Sequence, residues 1–88
     1  MIEREGTIVN SLGMHARPAA QVVRLASKFK SAIELEHDGQ TVNGKSIMGV
    51  MTLAAECGAV VRVRADGEDA EAAVAALIDL IAKGFGET

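Results

Sequence analysis

The dipeptide Asp38-Gly39 constrains this chain more than any other feature. It separates the stretch Ala32–His37, where Ile33 and Leu35 alternate with Glu34 and Glu36, from Gln40-Thr41-Val42. An Asp-Gly pair between two such runs predicts a tight hairpin, because both central residues of a type I′ turn need positive φ. Two strands in mid-chain must therefore lie antiparallel, and Asn43-Gly44 ends the pair.

Around this hairpin, strand and helix patterns alternate. Residues 2–9 read as a first strand, with Ile2, Arg4, Gly6 and Ile8 on one face. Asn10-Ser11-Leu12-Gly13 has loop composition, and Leu12 or Met14 is expected to pin the loop by turning inward. Residues 16–29 read as a helix whose core face is Val22, Leu25, Ala26 and Phe29. Residues 47–53 read as a short helix with Ser46 as N-cap. Gly49 at its third position forms no capping box. Val50, Leu53 and Ala54 are expected inside, with Ile47, Met48 and Met51 toward the outer face. Residues 59–65 form the clearest strand, with Val61, Val63 and Ala65 inward and Arg62 and Arg64 outward. Asp66-Gly67 turns the chain. Glu68 and Asp69 then place negative charge at the start of a last helix, where the dipole favours it. The apolar face of that helix is Ala70, Val74, Leu77, Ile78 and Ile81, and Gly84 is a natural stop. Residues 85–88 form a tail that can fold back through Phe85. The resulting order, βαββαβα, predicts an α+β fold: an open-faced β-sandwich with a four-stranded, largely antiparallel sheet and three helices on one face.

With 88 residues there is room for one domain, spanning 1–88. Two Phe are the only aromatics, so the core must be aliphatic. A net charge of −3 argues against nucleic acid as a partner. A single cysteine, Cys57, allows neither an internal disulfide nor a two-cysteine metal site. Its neighbourhood lacks a histidine, so a buried or inert thiol is expected. The N-terminal residues lack a signal pattern, and no apolar run approaches the roughly 18 residues of a membrane span. These features predict a cytoplasmic domain that needs neither metal nor cofactor and does not insert into membranes.

The chemistry concentrates in Gly13-Met14-His15-Ala16-Arg17-Pro18-Ala19-Ala20. Proline belongs in a first helical turn, where its missing N–H costs nothing. The unpaired N–H groups and positive dipole end there favour an anion such as phosphate. Imidazole offers a ring nitrogen near neutral pH, so His15 suits receiving, holding or giving a phosphoryl group, with Arg17 beside it to steady the oxygens. Arg17, Gln21, Arg24 and Lys28 form a basic stripe on an acidic chain, which reads either as a solvated face or as a surface for an acidic partner. The patch Ile47, Met48 and Met51 either fills the core in part or docks a partner. Ser46 is an N-cap that could also carry a phosphate without disturbing its helix. His37, at the hairpin mouth, has no chemical setting. No paired carboxylates, nucleophile elbow, Walker loop or metal-ligand spacing appears.

Residues 13–19 resemble the active-site signature of the HPr family, the histidine phosphocarriers of the bacterial phosphoenolpyruvate:sugar phosphotransferase system. Met14 stands where that signature has leucine. Lys45-Ser46-Ile47-Met48-Gly49-Val50-Met51 resembles the family's second signature, around a regulatory serine. Length and element order match as well. The resemblance implies that His15 takes a phosphoryl group on Nδ1 from phosphorylated Enzyme I and passes it to an Enzyme IIA domain. It implies that Arg17 steadies the phosphoryl oxygens and that an HPr kinase/phosphorylase acts on Ser46. It also implies docking across the first helix and the short second helix, over Ala16, Ala20, Arg24, Lys28, Ile47, Met48 and Met51; the chain is expected to act as a monomer. A carrier of the nitrogen-related or purely regulatory branch would keep His15. A small regulatory ligand-binding α+β domain would not need it.

Overall fold

The computed structural model describes residues 1–87. Thr88, the last residue of the expected tail, lies outside them. The elements run β1 (Ile2–Thr7), α1 (Ala16–Ala26), β2 (Ala32–His37), β3 (Gln40–Asn43), α2 (Ile47–Thr52), β4 (Val60–Asp66) and α3 (Ala70–Ala82), with a final turn at Gly84–Gly86. The four strands form one sheet in the order β1-β4-β2-β3, and every neighbouring pair is antiparallel. Asp38 and Gly39 turn the β2–β3 hairpin with φ of 52° and 81°, as the type I′ geometry demands.

Strand periodicity divides the sheet into two unlike faces. Ile33, Leu35, Val61, Val63 and Ala65 are buried beneath the helices. They join Val22 and Ala26 of α1, Val50 of α2 and Ala73, Val74, Leu77 and Ile81 of α3 in one aliphatic core. Burying each larger side chain contributes about 1.5–3 kcal/mol. On the opposite face Arg62 lies between Glu3, Glu5 and Glu36, and Arg64 between Glu3, Glu34 and Glu36. The register makes this pairing unavoidable: Glu3 faces Arg64 and Glu5 faces Arg62 on one side, and Glu34 and Glu36 face them on the other.

Two details differ from the expectations and two sharpen them. The helix predicted over 16–29 ends at Ala26, because Lys28 and Phe29 turn to carbonyls three residues back, Leu25 and Ala26. This tighter last turn is a common way to finish a helix. Lys45 Nζ then donates to Phe29 O at 2.8 Å, placing a cation where the helix end is negative. Ala54, expected inside, is exposed with φ of 50° just past α2. Of the two candidates to pin the 10–14 loop, Met14 is buried and Leu12 is exposed. Asp69 holds the N-cap position of α3 without capping its own helix. Its carboxylate instead accepts from the N–H groups of Lys30 (2.8 Å) and Ser31 (2.9 Å) and from the Ser31 hydroxyl. The hydroxyl bond, then the backbone donors, pull its pKa down to about 2. One side chain thus ties the α1–β2 turn to the start of α3.

Candidate functional site

The loop before α1 is built to hold the next residue, His15. Met14 is buried, and its N–H donates to Ala55 O at 2.8 Å. Asn10 is also buried and donates Nδ2 to Gly13 O at 2.8 Å, closing the loop on itself. Gly13 has φ of 68°, and a Cβ there would stand 2.5 Å from Ala55 O, so neither conformation nor space admits a side chain.

His15 is the N-cap of α1, with extended backbone and no cap bond from its side chain. Its carbonyl accepts the first helical bond, from Ala19 N at 3.0 Å. Pro18 is buried and has no N–H that needs an acceptor. The N–H groups of Ala16 and Arg17 therefore stand at the positive helix end uncapped by the His15 side chain, an arrangement that favours an anion. Arg17 is exposed beside them. The His15 side chain keeps 35% of its surface accessible, enough for one ring edge to meet another molecule.

Sequence reasoning surrounded His15 with positive charge; the structure adds a carboxylate. His15 Nε2 lies 2.9 Å from Glu87 Oε2 and 3.1 Å from Oε1. Asn10 Nδ2 donates to Glu87 Oε1 at 3.0 Å. The His15 hydrogen bond, then the Asn10 bond and the nearby charges, hold the Glu87 carboxyl below the usual carboxylate range. Asn10 Oδ1 is buried without a partner among the described residues. That orphan costs about 1–3 kcal/mol, so the amide orientation is held for what Nδ2 reaches. The tail that delivers Glu87 is itself anchored. Gly84, Phe85 and Gly86 all have positive φ (63°, 58° and 75°), the Phe85 ring is buried, and Phe85 O accepts from Gln21 Nε2 at 3.0 Å. Asn10, Gln21 and Glu87 were not among the predicted site residues. The one sequence signal was Phe85, an aromatic between two glycines in a tail.

The second predicted position, Ser46, caps α2: its Oγ accepts from Gly49 N at 3.2 Å. Ile47, Met48 and Met51 are 43%, 75% and 43% exposed, so the patch is on the surface and not in the core. Ala16, Arg17, Arg24 and Lys28 are exposed and Ala20 is half-buried, with Lys28 on the turn beyond α1 and not on the helix. The first two helices pack together, so stripe and patch belong to neighbouring elements. Cys57 is exposed, so of the expected buried or inert thiol the buried alternative is excluded. His37 donates Nδ1–H to Val60 O at 3.1 Å and joins none of these groups. No helix of the described residues is long and apolar enough to cross a membrane.

The family model for the phosphorylation site of the phosphotransferase-system HPr component matches residues 2–83. The chain belongs to the HPr family. It is 52% identical over 87 residues to the phosphocarrier protein HPr of Xylella fastidiosa, covering 99% of this chain and 98% of that one. The structure of an HPr from Thermoanaerobacter tengcongensis superposes with a TM-score of 0.95 at 51% identity, covering 100% of this chain and 99% of that one. An HPr dimer from the same organism gives 0.79 at 52% identity, covering 99% and 100%. The α+β architecture read from the sequence is thus that of solved HPr structures, and the chain is a phosphocarrier of the phosphotransferase system.

Proposed function

We propose that His15 is the group that carries the phosphoryl. It accepts it from phosphorylated Enzyme I, whose own donor is phosphoenolpyruvate, and gives it to an Enzyme IIA domain on the way to an incoming sugar. The observation that supports this most is the half-exposed imidazole at the N-cap of α1, beside first-turn N–H groups that it leaves uncapped. A phosphoryl group on that ring meets a helix N-terminus and the Arg17 guanidinium, both suited to its oxygens. Partners dock over Ala16, Ala20, Arg24, Lys28, Ile47, Met48 and Met51, where basic side chains and exposed methionines adjoin. Ser46 is the target of an HPr kinase/phosphorylase. In this reading the chain works as one domain, as a cytoplasmic monomer, without turnover of its own; the partners supply the chemistry.

Incubation with Enzyme I and phosphoenolpyruvate is expected to place an acid-labile, base-stable phosphate on the chain, and none on His15→Ala. Label that persists in His15→Ala overturns the assignment. Exchange with a sugar-type against a nitrogen-type Enzyme I separates the two branches of the system.

A further inference from the structure

The carboxylate on His15 has no part in the reading above, yet the tail is built to bring it there. A chance surface contact would have one tether. Glu87 has several: Asn10 Nδ2 on the same carboxylate, Gln21 Nε2 on the Phe85 carbonyl, and the buried Phe85 ring. Phe85 also holds a left-handed backbone, a conformation that bulky residues avoid unless their surroundings impose it.

We propose that Glu87 is a positioning residue for phosphoryl transfer: its carboxylate holds the Nε2–H of His15 and so leaves Nδ1 as the ring nitrogen whose lone pair attacks phosphorus. The proposal rests on the reading that His15 is the acceptor. An ionised carboxylate only accepts hydrogen bonds, so a bond at 2.9 Å from Nε2 requires the proton to be on Nε2. In a neutral imidazole the other nitrogen then carries the lone pair. Loading follows with balanced atoms and charge. Nδ1 forms the bond to phosphorus, and the bond from phosphorus to the donor breaks with its electrons left on the donor. The ring becomes a cation that keeps its Nε2 proton, and no proton leaves it. The positive charge so created faces a carboxylate already in place, which favours the loaded state without reorganisation. Asn10 supports the arrangement by fixing the carboxylate from its far side.

The test is the tautomer of His15, read from the side-chain nitrogen resonances of the whole labelled chain at a pH where the ring is neutral. The wild-type ring is expected almost wholly as the Nε2–H form, and Glu87→Gln and Glu87→Ala as mixtures. Single-turnover loading from phosphorylated Enzyme I is expected to slow roughly tenfold in Glu87→Gln, with an unchanged half-saturating Enzyme I concentration. Equal tautomer ratios in all three chains, or an Nδ1–H form in the wild type, overturn the proposal. So does a shifted ratio with an unchanged loading rate. Absence of any phosphate on the wild-type chain overturns instead the carrier reading, because the tautomer measurement needs no phosphate.

Discussion

Asp69 shows how much one carboxylate can organise. Folding depresses its pKa to about 2, chiefly through the Ser31 hydroxyl and the Lys30 N–H. A depressed carboxylate stabilises fully above its unfolded pKa of about 3.9, and the contribution is lost as pH falls through the folded value. The stability difference between the wild type and Asp69→Asn is therefore expected to be full above pH ~5, to fall steadily as pH drops through ~2, and to be lost near pH ~1, as acid-dependent unfolding will read. At Ser46 the expected outcome of Ser46→Asp is an unchanged melting temperature with slower loading by Enzyme I; unaltered kinetics would remove the regulatory role proposed for it. The places of His15 and Ser46 at helix starts were legible because a helix start is a local signature, carried by the residue types of one turn. Asn10 and Glu87 were not legible. They are 77 residues apart and meet only through the fold.

Among the elements, the hairpin and the strand faces followed directly from the sequence, since a two-residue turn and a period of two leave little freedom. The end of α1 did not. Its apolar spacing runs on to Phe29, and what stops it is a three-residue hydrogen-bonded turn with the distant Lys45 on the Phe29 carbonyl. The final Gly84–Gly86 turn depends on the Phe85 ring, which is buried against the core. Phe85→Ala is expected to cost about 3 kcal/mol in urea unfolding, at the low end for such truncations because the left-handed backbone strain eases slightly. The same substitution should loosen Glu87 and reproduce the His15 tautomer mixture of Glu87→Gln. In α2, Met48→Ala should leave stability within about 0.5 kcal/mol, as its side chain is 75% exposed, yet weaken binding of Enzyme I measured by calorimetry.

At the scale of the whole molecule the charges are segregated. Net charge is −3, but the carboxylates Glu3, Glu5, Glu34 and Glu36 gather around Arg62 and Arg64 on the helix-free face, while Arg17, Arg24 and Lys28 lie along α1 and the turn that follows it. Salt should therefore act on association more than on folding. Stopped-flow association with Enzyme I is expected to slow roughly tenfold from low to high salt. The melting temperature should move little, because half-exposed ion pairs each contribute only about 0–1 kcal/mol.

The strand order carries a consequence for how the chain comes to be folded. β1 is synthesised before the other strands, yet its only neighbour in the sheet among the described residues is β4, from Val60 to Asp66. A nascent chain thus leaves this strand unpaired until most of its length has been made, and closing so long a loop is slow. The proposed phosphoryl site is finished later still, when residue 87 arrives at residue 15. Ribosome stalling or proteolytic trimming near the C-terminus would accordingly yield chains that display the histidine without its carboxylate.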